Sequence, residues 1–153
     1  MFIGICYLAS LAVGTAVVFL QPGTRTVQLV AGTLLHFVLL LGVGVPLVVG
    51  GFGHVFKSDL AARRLGWPSG NPFQKELGFW DFAAGVGAIV AFWRGSEFML
   101  AAIIINAIFW VSAGMLHIQH VVRHRNYNFD NAIPAVVDIL VPATLIVFYL
   151  LAR

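Results

Sequence analysis

The sequence predicts an all-α integral membrane bundle of about five transmembrane helices, and three observations carry that prediction. Hydrophobic residues fill 60% of the 153 positions and charged ones only 10%, a balance too apolar for a soluble domain. Several apolar runs reach the about 20 residues that a helix needs to cross a bilayer. A single long polar stretch, from Gly50 to Asp81, interrupts the chain. Basic clusters interleaved with exposed aromatics do not occur, so the formal charge of +3 is no nucleic-acid signature. Cys6 is the one cysteine, which excludes an internal disulfide.

Taken in order, the first span covers about 2–20; it opens almost at Met1 with no basic n-region, so it reads as a retained helix rather than a signal peptide. The second, 27–56, is about 45 Å long as a straight helix, too long for a hydrocarbon core of about 30 Å. Pro46, which cannot donate to the Gly42 carbonyl and lies among several glycines, predicts a kink or break there. The loop 57–75 follows. Asp59 to Leu65 suits a short interfacial helix ended by Gly66, and Trp67-Pro68-Ser69-Gly70 has the type I turn pattern. Asn71-Pro72-Phe73-Gln74 then reads as N-cap, Pro at N1 and a Gln able to reach back.

The third span, about 72–93, presents Gly78, Asp81, Gly85 and Ala88 on one face, and small residues at that spacing let a second helix approach closely. The fourth, about 98–122, carries a polar stripe through Asn106, Trp110, His117, His120 and His124. The fifth, about 133–151, contains Asp138, whose carbonyl Pro142 leaves without its helical donor. The whole of 1–153 reads as one membrane domain.

With five spans, loops 57–75 and 123–131 share a side. That side holds six Lys/Arg, four plus two, against Arg25, Arg94 and Arg153 on the other. The positive-inside rule then places both loops and the N-terminus in the cytoplasm and the C-terminus outside the cell membrane.

Of the six acids, Asp81 and Asp138 alone fall inside apolar segments, each about 7 Å below the expected rim, and His117, His54 and His120 belong to the same layer. Intramembrane ionisable groups are costly and mark ligand, ion or proton sites, or else pair to fix helix packing. The expected cluster is therefore His54, Glu76, Asp81, His117, His120 and Asp138, with Trp67, Pro68, Gly70, Asn71, Pro72 and Gln74 forming the motif loop beside it. His117 and His120, at i and i+3, could ligate one metal with a neighbouring carboxylate. His36, alone in an apolar span, reads as a packed, hydrogen-bonded residue. No Ser or Cys has a base and orienter at readable spacing, and no cofactor is indicated.

The string GHVFKSDLAARRLGWPSGNPFQKELGF, followed by a His-bearing span and NFDNAIPAVVDILVP, resembles a family of small bacterial and archaeal membrane proteins of unknown function. The resemblance runs from Gly53 to Pro142. It matches at His54, Gly66, Trp67, Pro68, Gly70, Pro72, Phe73, Gln74, Glu76, Gly78, Phe79, Asn131, Pro134 and Asp138, and departs at Ile133, where the family tends to have Gly. It implies a fold and a site location but no activity.

Three functions compete: binding of a small lipophilic ligand or metal at the cytoplasmic end, an accessory subunit of a larger membrane complex, and a proton or ion conduit. The bilayer is the expected partner, with a homo-oligomer or larger complex possible and nucleic acid excluded. The topology is testable directly. A cysteine at Ser69 should resist an impermeant thiol reagent in intact cells and react after permeabilisation; ready labelling from outside would reverse the orientation.

Overall fold

The computed structural model describes residues 2–153, and these contain helices but no strand. Seven α-helices follow in order: α1 Phe2–Leu20, α2 Val27–Phe37, α3 Val45–Phe56, α4 Ser58–Leu65, α5 Phe73–Ala91, α6 Ser96–His124 and α7 Phe129–Leu151. Four helical runs, Phe2–Leu20, Val27–Phe56, Ser96–His124 and Phe129–Leu151, are long and apolar enough to cross a membrane. α5 is as long as α1, at 19 residues, but carries Lys75, Glu76 and Asp81. The chain is thus an all-α bundle of membrane-spanning helices.

Val27–Phe56 is one helical path of 30 residues. Between α2 and α3 it widens into a π-helical segment, Val38–Gly44. There the Val45 N–H reaches Leu40 O, five residues back, and α-helix resumes through Pro46. A proline has no N–H to give, and the wider turn shifts the bonding register just ahead of it. The expected irregularity therefore takes the form of a π-helical segment on the N-terminal side of Pro46, not a break.

α4 ends at Gly66, which takes the left-handed φ of +70° and returns its N–H to Arg63 O. A side chain there would also meet the Asn126 amide, 2.9 Å from an added Cβ. At the start of α5, Asn71 Oδ1 accepts from Phe73 N–H at 3.0 Å across Pro72, which leads into the helix. Asn128 caps α7 by accepting from Asp130 N–H at 3.2 Å.

The core is apolar and lies at the centre of the bundle, around Leu39, Val43, Trp110, Val141 and Leu145. Outward faces are apolar as well: Leu8, Ile108, Val122 and Leu150 are exposed, as lipid-facing side chains are. α6 packs chiefly on α7, and α3 on α5.

The α3–α5 contact is made backbone to backbone. A Cβ added to Gly78 would stand 2.9 Å from Gly51 O, and one on Gly85 would stand 3.0 Å from Gly44 O. The pairs 44/85 and 51/78 have equal sums, so the two helices run antiparallel with glycine facing glycine every seven residues. This is the small-residue face expected on α5, and α3 carries its complement. The bond distances also show what would break it. Gly78→Ala should lower the apparent melting temperature in detergent by the equivalent of about 1–3 kcal/mol, because its methyl meets fixed backbone. Gly87→Ala is the control. An added Cβ there meets nothing within 4 Å, and the helix gains the better former, so stability should hold or rise. Equal effects at the two positions would refute the seam.

Candidate functional site

Both polar loops lie at one end of the bundle, and beneath them sits a buried polar node. Its members come from the loop before α5 and from α5, α6 and α7. The helices reach further into the loops than the apolar runs suggest, because Asn128 caps α7 early and α6 runs on to His124. Asp138 is thus nine residues into α7 (129 to 138), Asp81 eight into α5 (73 to 81), and His117 seven from the end of α6 (117 to 124). At 1.5 Å per residue they lie about 10–14 Å from the helix ends, at similar distances on all three helices.

Asn131 organises the node. It is fully buried, and its Nδ2 donates to Asn126 O at 3.0 Å and to His117 O at 3.5 Å. Carbonyl oxygens only accept, so these bonds settle which way the amide points. Its Oδ1 faces His117 Nδ1 at 2.9 Å, and that nitrogen must donate. His117 Nε2 is left facing Asp138 Oδ2 at 4.0 Å. An Asn–His–Asp line results, with the imidazole orientation set by Asn131 and Nε2 turned toward the carboxylate. Gly114 makes this possible by letting α7 approach α6; a Cβ there would lie 3.1 Å from the Asp138 Cβ.

Trp67 closes the node on the loop side. Its indole stacks on His117 at 5.2 Å between ring centroids and on His120 at 4.7 Å. His120 in turn lies 4.8 Å from the His124 ring. The loop is held down by Asn126, whose Nδ2 donates to Leu65 O at 2.7 Å, and stiffened by Asp59, whose carboxylate accepts from Gly70 N–H at 2.9 Å. Gly70 has φ +86°, and Pro68 and Pro72 are exposed turn residues around it.

Asp81 is the outstanding residue. It is 5% exposed, as is Asp138. Yet among the described residues Asp81 has no hydrogen-bond or ion-pair partner. Its Oδ2 looks across the glycine seam at Gly50, 3.8 Å from where a Cβ would stand. A carboxylate so buried costs several kcal/mol unless something compensates it.

The remaining expected members stand apart. His54 Nδ1 pairs with Gln74 Oε1 at 2.7 Å, one turn nearer the loops than Gly50 on α3. Gln74 therefore bridges helices instead of reaching back to cap its own. Glu76 is exposed, on a shallow surface cleft with Phe73, Leu77, Trp80 and Phe109. It lies on the opposite side of α5 from the seam, so helical rotation takes it away from Asp81. Among the described residues no three His, Cys, Asp or Glu side chains are arranged to hold a metal ion, and His117 and His120 turn their ring faces to Trp67. His36 bonds Gly32 O at 2.7 Å and meets Phe92 edge-on.

Asn131 was visible in the sequence only as a motif position, not as a site residue. Further along the buried stripe of α6, Asn106 Oδ1 and Trp110 Nε1 have no partner, and neither has Trp67 Nε1. Replacing Asn131 with Leu should cost about 1–3 kcal/mol, since it orphans His117 Nδ1 and the Asn126 carbonyl. The near-ultraviolet signal of Trp67 should change with it. Retention of both stability and signal in Asn131→Leu would show that the node is not held by this amide.

No curated protein and no solved structure matches the chain. A family model matches residues 1–153, end to end. The chain with this glycine seam and buried node therefore belongs to the family of unknown function DUF6790.

Proposed function

We propose that this multi-pass membrane protein binds a small lipophilic molecule through a cationic, hydrogen-bond-donating head group, at the node formed by Asp81, Asp138 and His117. The observation that carries the reading is Asp81: a carboxylate 5% exposed, turned toward Gly50 across the glycine seam, with no partner among the described residues. The one free nitrogen of His117 faces Asp138, so Asp81 is left without a cation or donor of its own. An ammonium group supplies both, and a charge-assisted hydrogen bond is among the stronger polar contacts. Gly50 sets no side chain against the Asp81 oxygen, and the exposed faces of the bundle are apolar, as an alkyl body requires. The node belongs at the cytoplasmic end of a protein of the cell membrane, on the strength of the six-to-three split of Lys and Arg.

The test uses the purified chain in lipid nanodiscs, with dodecylamine as probe and dodecyl methyl ether as its uncharged, donor-free counterpart. Dodecylamine should bind at least tenfold more tightly, in line with about 1.5–3 kcal/mol for a hydrogen bond to a charged group. Asp81→Asn should bring that preference close to one while leaving the protein folded. Equal binding of the two probes to the unaltered protein would end the proposal.

A further inference from the structure

A second cavity lies between α5 and α6, away from the node. α5 turns Asp81 toward α3 and Trp80, its neighbour in the chain, the other way, so the two sites open on different sides of the same helix. The α5–α6 contact is sparse beside the α3–α5 and α6–α7 contacts. The space left over amounts to about 250 Å³, walled by Trp80 and Phe98 and floored by small residues such as Ala84, Gly87 and Ala102. This exceeds the roughly 150 Å³ of an apolar protein cavity that takes benzene.

One polar group lines this cavity. Asn106 is 2% exposed, and its Nδ2 donates to Ala102 O at 2.8 Å. A carbonyl only accepts, so that bond fixes the amide with Oδ1 as the remaining atom. Oδ1 is buried and has no partner among the described residues. An apolar, ring-sized hollow with a single unsatisfied acceptor is matched by an apolar body bearing a single donor. It offers no counter-charge: none of the nine residues lining it is charged. Asn106 is eleven residues from His117 on α6 (106 to 117), about 16 Å along the helix, so one small ligand does not reach both.

We infer that the α5–α6 cleft is a binding site, entered from the lipid side, for an uncharged lipophilic phenol or ring-bearing alcohol whose O–H donates to Asn106 Oδ1. Trp80 and Phe98, partly exposed at its edge, offer ring faces to such a body. The small residues across from them leave its volume free, and Gly87 matters most, since a Cβ there would point into open space.

The probe is 4-pentylphenol, compared with 4-pentylanisole, which has the same ring and tail and no donor; binding is measured on the full chain in nanodiscs. The phenol should bind about tenfold more tightly than the ether. Asn106→Leu should reduce that ratio to about one. Gly87→Leu, which fills the cavity without meeting other atoms at its Cβ, should weaken both probes at least tenfold, and it decides the matter if Asn106→Leu does not fold. Asp81→Asn should leave the phenol-to-ether ratio unchanged, because the node is a separate site. Equal affinities in the unaltered protein, undiminished binding by Gly87→Leu, or a ratio that falls in Asp81→Asn would each overturn the assignment.

Discussion

The structure depends on one close approach: the helix carrying Gly44 and Gly51 lies against the α5 backbone at Gly85 and Gly78, with no side chain between them. In a membrane, water does not drive helices together, so association rests on packing and on polar contacts between them. A glycine seam maximises the first. It also determines where everything else on these two helices points. Asp81 lies between Gly78 and Gly85 on the seam face, so the contact that holds α3 to α5 also buries that carboxylate. His54, one turn from Gly50, is brought to Gln74 by the same approach.

A second approach, at Gly114, does for α6 and α7 what the seam does for α3 and α5. It sets Asp138 opposite His117, and Asn131 then locks the imidazole from the other side. The loops are tied to this interior arrangement. Asn126 holds the end of α4, Trp67 lies over two histidines, and Asn131 bonds both the loop carbonyl of Asn126 and the helix carbonyl of His117. A change in the charge of His117 is therefore felt at the Trp67 stack, and a displacement of the loop is felt at His117. The motif loop is thus tied to the node through Trp67 and Asn126.

The polar interior is unevenly satisfied, and that unevenness is informative. Ser10 finds Tyr7 O at 2.6 Å, Tyr7 finds Thr144 at 2.7 Å, and His36 finds Gly32 O. These groups are structural and complete. Among the described residues Asp81, the Asn106 Oδ1 atom and the indole nitrogens of Trp67 and Trp110 are not. Buried polar groups in native proteins are nearly always paired, so an exception asks for a partner from outside the chain. The two acceptors among them differ in chemistry, Asp81 an acid on the glycine seam and Asn106 Oδ1 a neutral carbonyl in an apolar hollow, and they sit on opposite sides of α5.

By itself the sequence determined the class of fold and the residues available for a site. Apolar runs of membrane length, Pro and Gly at the breaks, and acids inside apolar segments are local features, and local features are legible along a chain. The face carrying Gly78, Asp81 and Gly85 was legible for the same reason, since helical spacing alone puts those residues together. What the tertiary structure decided is which faces meet and at what depth. Glu76 and Asp81 are both acids of α5, yet one is exposed and the other buried, because the rotation of α5 is fixed by a partner glycine row on α3, more than twenty residues away. Gln74 suited a cap and instead found His54 across the seam. Asn131 looked like a loop residue until the cap at Asn128 drew it into α7 and under His117. Such pairings depend on the relative rotation and offset of two helices, which the packing of distant segments sets and no spacing within either helix encodes.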